Sequence, residues 1–375
     1  MTQDIYKKLA QHLDDLPAGY PATESGVELR ILRRLFTPEH AELATHLTVL
    51  PEEARVVARR AGLETAVAAD MLQEMEKKGL IYANHPDDGG EPKYSSAPFV
   101  VGIWEFQVGR LTPELVRDFD EYAPSLMNIW EHTPQLRTIP VGQSIDAQLE
   151  IMVYEQAEEI VRSHSNITVA PCVCRQEKAV IGEGCGKPLE TCLSFGSAAA
   201  YYQRNGLGRK ISQEEALEIL DLANEAGLVL QPGNSQNASF ICCCCGDCCG
   251  VLRNLNQHPQ PASVIASAFF ARLVDEDLCT NCGLCETRCQ MNALDFEDYV
   301  PEINLDRCIG CGLCVSTCPT EALVMERKAE EERPSIPKNI VMTHYRLARA
   351  RGKMKPTEMV MMAVRSKVDR LLARR

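Results

Sequence analysis

No stretch of this chain approaches eighteen consecutive apolar residues, which excludes a helical membrane span. The first twenty residues are polar and helix-like, with no apolar signal core and no small-residue cleavage site, so a cytoplasmic location is expected. A G-x-x-x-x-G-K-[ST] phosphate loop and a G-x-S-x-G nucleophile turn are both missing. Gly206-Leu207-Gly208 lacks a third glycine and leads into a polar helix start, so it is no dinucleotide fingerprint. The eight His show no paired spacing with Glu, and none is assigned a catalytic role. Nothing specifies flavin or nicotinamide. Positive charge is also short overall: the formal net charge of −13 argues against nucleic acid or anionic lipid as a partner of the chain as a whole. The exception is residues 334–375, where eleven Lys or Arg face two acids, a local excess of +9.

What the chain has in abundance is cysteine, eighteen in 375 residues. In a secreted protein that number would point to disulfides; in a reducing cytoplasm the thiols stay free for metal. Eight of them form the tetrad C-x2-C-x2-C-x3-C twice, as Cys279, Cys282, Cys285 and Cys289, then Cys308, Cys311, Cys314 and Cys318, each 29 positions after its mate. Asp277 matches Asp306, Leu284 matches Leu313, and Ala293-Leu294 matches Ala322-Leu323 at the same offset, so the segment is a duplication. Cubane iron takes one thiolate per iron, and sulfur is soft enough to hold it. Structural zinc, bound by two pairs across a longer spacer, does not suit four Cys within eleven residues.

Residues 274–326 resemble the bacterial dicluster ferredoxin domain, a small α+β fold with pseudo-twofold symmetry. The resemblance implies two [4Fe–4S] clusters, with the fourth Cys of each tetrad serving the other cluster: Cys279, Cys282, Cys285 and Cys318 for one, Cys308, Cys311, Cys314 and Cys289 for the other. One departure is Gln290, where the family usually has Pro. So many clusters suggest an anaerobe.

The other ten cysteines are central. Cys172, Cys174, Cys185 and Cys192 would make one more four-thiolate site, for a third iron–sulfur cluster, for zinc, or for no metal at all; Arg175 beside them would offset thiolate charge. Cys242 to Cys245, Cys248 and Cys249 crowd six thiols into eight residues. Cys244-Cys245-Gly246 and Cys248-Cys249-Gly250 resemble the Cys-Cys-Gly pairs of heterodisulfide reductases, without that family's wider spacing. Some of this run completes the cluster begun by Cys172 and Cys174, or it forms a vicinal-thiol redox centre; Cys245 and Cys248 are the candidate ligands. The whole block is similar to iron–sulfur proteins of anaerobic bacteria that join it to a dicluster ferredoxin.

Periodicity places helices near residues 29–36, 41–47, 52–60 and 64–79, then a strand at Leu80-Ile81-Tyr82, a turn at Pro86-Asp87-Asp88-Gly89-Gly90 and a return strand over 94–101. This order resembles a winged helix-turn-helix. Residues 64–78 would be its recognition helix, but Glu64, Asp70, Glu74 and Glu76 oppose phosphate contact, which favours protein docking over DNA. Residues 111–122 and 147–164 read as amphipathic helices, 166–170 as a strand, Ser212 with Glu215 as a capping box, and 228–230 with 239–241 as a hairpin. The tail helix, residues 357–375, sets Met359, Met362, Val364, Val368, Leu371 and Leu372 among Arg365, Lys367, Arg370, Arg374 and Arg375. It is expected to pack its apolar face on the chain's own body, or to meet a partner or a membrane surface.

The expected architecture is an α+β multidomain chain: a winged-helix-like domain (1–102), a central Cys-rich α+β domain (103–262), a dicluster ferredoxin domain (263–330) and a basic helical tail (331–375). The expected function is electron transfer to or from a partner oxidoreductase. The alternatives are a redox-responsive winged-helix regulator and a disulfide-reductase-like enzyme using the Cys242–Cys249 run. The sequence specifies neither the redox partner nor the oligomeric state.

Overall fold

The computed structural model describes residues 4–86, 88–130, 134–296, 300–353 and 356–373. The fold mixes helix and strand, and the chain divides into two compact units. One is built from residues 1–130 and 344–375, the other from residues 131–343. This division runs across the four expected segments: residues 103–130 and 344–375 group with the N-terminal unit, and residues 331–343 with the two cysteine-rich segments. No helix among the described residues is long and apolar enough to cross a membrane.

In the first unit, helices Ile5–Asp15, Val27–Leu35, Pro38–Ala44, Ala54–Ala61 and Thr65–Lys77 accompany a small antiparallel sheet. Its strands are β1 (Glu52–Glu53), β2 (Ile81–Asn84) and β3 (Lys93–Ser96), in the order β1-β3-β2. The return strand is shorter than expected. Pro98 follows its end, and Val101 takes a left-handed φ of 59° within the tight turn Phe99–Ile103. Helix Pro113–Trp130 runs beyond the expected residue 122. Leu9, Ile31, Leu32, Val56 and Leu72 are fully buried, and Trp104 stacks on Phe119 with ring centroids 3.8 Å apart.

The tail helix Pro356–Leu372 packs in the opposite sense to the expected one. Its polar side faces the unit: Ser366 Oγ donates to Glu52 Oε1 (2.6 Å), and Asp369 takes Arg59 and Arg60 at 2.7 Å each. Its apolar residues Val360, Met361, Val364, Val368, Leu371 and Leu372 are exposed, and Met362 is half-buried. The side chain of Met359, and Arg374 and Arg375 altogether, lie outside the described residues, as does Asp87 of the expected turn.

The second unit is organised on a five-stranded antiparallel sheet, β6-β4-β5-β8-β7, built from β4 (Ile167–Pro171), β5 (Glu190–Phe195), β6 (Arg209–Ile211), β7 (Val229–Pro232) and β8 (Phe240–Cys244). Helices Gly196–Arg204 and Gln213–Glu225 pack on it. The second is capped by Ser212, whose side chain accepts from the Glu215 N–H. The helix expected across residues 147–164 is reduced to Ala157–Arg162 after a single 3₁₀ turn, Val153–Glu155. Arg327 takes the Glu150 carbonyl (2.7 Å) and Arg137 that of Tyr154 (2.6 Å), so acceptors a helix would need are engaged by distant arginines.

Beyond the sheet, β9 (Phe269–Leu273) pairs with β12 (Leu323–Arg327), and β10 (Leu294–Asp295) with β11 (Glu302–Ile303). Short helices Leu284–Arg288 and Leu313–Ser316 lie between them. The duplication reaches the backbone: left-handed residues recur as Asn281 and Gly310, Gly283 and Gly312, Asn292 and Glu321, each pair 29 positions apart. At Gly310 the conformation and a close approach both demand glycine, since an added Cβ would lie 2.1 Å from the Phe269 carbonyl oxygen.

Candidate metal centres

Each tetrad wraps a short loop and then opens a helix. Gly283 and Gly312, at φ 69° and 76°, turn the chain into helices that carry Cys285 and Cys314, while Cys289 and Cys318 leave from the far ends. Cys279, Cys282, Cys285 and Cys318 line one cavity, walled by Leu273, Phe296 and Leu323. Cys289 lies within electrostatic reach of Cys308, Cys311 and Cys314.

These thiols fit a cationic core better than they fit one another. Burial pushes Cys308 and Cys314 up and Cys311 up to about 12, so at neutral pH these three thiols keep their protons unless a metal is bound. A cluster's iron is what makes four thiolates compatible with such burial. Burial also acts upward on Cys318, but N–H groups of Thr320 and Leu323 outweigh it and bring the thiol below its ordinary value. Ala271 N–H reaches Cys308 Sγ (3.5 Å) and Ala293 N–H reaches Cys289 Sγ (3.3 Å); such donors tune cluster potentials.

In the sheet, Cys192 of β5 stands directly opposite Cys242 of β8. Alternation puts Cys242 and Cys244 on one face and Cys243 on the other. Cys172 caps helix Val173–Val180, which carries Cys174, and Cys249 caps helix Gly250–Gln257. These elements converge so that six thiols run in a contact chain: Cys192, Cys242, Cys244, Cys249, Cys174, Cys172. Hydrogen bonds from neighbours hold three of them low, Cys172 through Cys174, Cys242 through Cys192, and Cys249 through Cys174. Cys174 and Cys244, which each donate to the sulfur on either side, are pushed well up. Two thiolates also sit at helix N-termini, where the dipole favours negative charge.

Cys185 does not meet Cys172, Cys174 and Cys192 as one set. It joins Cys245 and Cys248, the three Sγ atoms lying within 4.8 Å of one another and Cys185 3.8 Å from Cys245. Arg175 is 4% exposed and serves this region: Nη1 is 3.9 Å from Cys245 Sγ, and Nη2 donates to the Cys243 carbonyl (3.1 Å) and to Thr191 Oγ1. Burial lowers the guanidinium's pKa, but its attraction to the sulfurs of Cys172, Cys245 and Cys244 outweighs it and keeps the group firmly charged. Cys243, alone on its face and buried, is pushed up by desolvation.

The tetrad segment and the sheet segment are joined by hydrogen bonds beside the thiols. Gln290 Oε1 accepts from the Gly246 N–H at 2.6 Å, and its carbonyl accepts from Asn256 Nδ2 at 2.8 Å. Val141 N–H donates to the Cys311 carbonyl at 3.0 Å, and Ser316 Oγ to Asn224 Oδ1 at 2.8 Å. In the sequence, Gln290 was visible only as a departure from proline; nothing signalled its partner 44 positions away.

Residues 272–325 match the family model of the 4Fe-4S dicluster domain. No curated protein and no solved structure matches the chain. The segment is a ferredoxin-like iron–sulfur domain within an α+β chain.

Proposed function

We propose that the protein is an iron–sulfur electron carrier with two [4Fe–4S] clusters, one held by Cys279, Cys282, Cys285 and Cys318, the other by Cys308, Cys311, Cys314 and Cys289. The observation that carries this reading is that the first four cysteines, drawn from both tetrads, surround a single cavity. Each cluster, when bound, supplies one-electron redox chemistry. The chain's own residues bury the thiolates, donate N–H groups to them and decide which side meets a partner.

The two repeats differ in exposure. Leu284 is 45% exposed and Leu278 likewise, whereas Leu313, the counterpart of Leu284, is fully buried. Cys282 is exposed as well. A partner oxidoreductase docks on the exposed loop of the first repeat, and the cluster completed by Cys289 lies on the side that Gln290 ties to the central segment. The six-thiol chain is the candidate seat of a third iron–sulfur centre, because its donors are strung out rather than gathered on one point.

The N-terminal unit reads as a winged-helix-like module used for protein contact. Arg59 and Arg60 are occupied by Asp369, and Glu74 stays 55% exposed on the would-be recognition helix, which is wrong for phosphate. Disulfide reduction at the cysteine run is disfavoured by burial: Cys243, Cys244, Cys245, Cys248 and Cys249 are all 5% exposed or less. A reducing cytoplasm suits this many free thiols.

Anaerobic purification with iron and acid-labile sulfide counted per chain tests the reading. We expect about eight of each from the ferredoxin-like segment, a larger count if the six-thiol chain is loaded, and a paramagnetic signal on reduction. Colourless protein with only zinc at the tetrads would overturn it.

A further inference from the structure

We propose that Cys185, Cys245 and Cys248 form a separate mononuclear site, a three-thiolate seat for one zinc-class divalent ion whose fourth position is left to water. The first observation is spacing. A tetrahedral ion with metal–sulfur bonds of about 2.3 Å holds its sulfurs about 3.8 Å apart. Here Cys185 and Cys245 are 3.8 Å apart, and all three sulfurs lie within 4.8 Å of one another. A cubane spreads its thiolates over separate irons and needs a wider frame.

The local chain is shaped for chelation. Cys245 and Cys248 are a C-x2-C pair at the end of β8, the spacing of one arm of a zinc site. Cys185 comes from a loop with glycines at 182, 184 and 186; Gly182 and Gly186 take φ of 81° and 70°, which lets that loop fold back. Cys245 and Cys248 are 1% and 0% exposed, and Cys185 is the partly open member. No further Cys, His, Asp or Glu ligand atom joins the group among the described residues. Solvent therefore supplies the fourth donor, from the Cys185 side.

Charge closes the argument. Three thiolates and a divalent ion leave one negative charge, and the Arg175 guanidinium beside Cys245 offsets it within the buried region. The proposal does not depend on the electron-carrier reading, because the two are read by different elements.

The experiment is metal analysis of the full-length chain, purified without oxygen from zinc-supplemented cells, beside Cys185→Ser, Cys245→Ser and Cys248→Ser. Wild type should hold about one zinc per chain, and each variant should lose it with iron and sulfide unchanged. Cys185→Ser, at the open edge of the site, is the variant that leaves the sheet intact. Cobalt-loaded wild type should show a thiolate charge-transfer band that this variant lacks. Wild type without zinc, retention of zinc in Cys185→Ser, or loss of iron and sulfide from that variant would each overturn the proposal. Wild type that holds zinc but lacks iron and sulfide would sink the electron-carrier reading alone, so the two readings fail separately.

Discussion

Gln290 follows Cys289 directly and accepts two hydrogen bonds from the segment that holds the central thiols, one from the Gly246 N–H and one from Asn256 Nδ2. Its side chain does what a proline there could not, which is to accept the Gly246 N–H. Gln290→Pro leaves that donor unpaired where an added Cβ on Gly246 would already touch the Gln290 carbonyl at 3.0 Å. We expect a loss of roughly 1–3 kcal/mol in denaturant unfolding and faster hydrogen exchange at Gly246, with the tetrad ligands still in place. Arg175 shows the same principle. The sequence placed it beside Cys174, and a role in offsetting thiolate charge could be read from that. That it would reach Cys245, seventy positions away, could not.

Among the elements, the tail helix is held by ions. Glu52 is fully buried and is met by Arg60 at 2.5 and 2.6 Å and by Ser366, while Arg60 also takes Asp369. Arg60→Ala strands a buried carboxylate, and we expect about 3 kcal/mol of lost stability, seen as a lower melting temperature and early release of the tail to protease. The amphipathic pattern of the tail was legible, but which face turns inward was not. Asp369 and Ser366 decide that, because their partners lie on helix Ala54–Ala61 and strand β1. The helix expected over residues 147–164 failed for a related reason: Arg327 and Arg137 compete for its carbonyls, and periodicity cannot register arginines from distant segments. The Ser212 cap and the hairpin of β7 and β8 were legible because every interaction they need is local.

For the molecule as a whole, pH acts most visibly on the first unit, which contains both His12 and His344. Burial pushes each down to about 4. The unfolded chain binds these protons near pH 6.5 and the folded one only near 4, so stability is full above about 6.5 and is lost as pH falls through that window. We expect on the order of 2 kcal/mol for each histidine, measured as a melting temperature that drops between pH 7 and 5, with a shallower slope in His12→Phe. Carboxylates held low, Asp14 by Lys353 and Arg351 and Glu52 by Arg60, both against the upward pull of burial, extend the loss to lower pH.

The double tetrad could be read from the order of residues alone. Its intervals are short, and a loop of a few residues brings its own thiols together wherever it is placed. The backbone repeats the 29-residue offset in its left-handed turns for the same reason. The ten central cysteines are different. Their sorting into a chain of six, a compact trio and the solitary Cys243 depends on β5 lying beside β8, on strand alternation, and on a glycine loop folding back to the end of β8. Those are long-range pairings, and spacing along a chain carries no record of them.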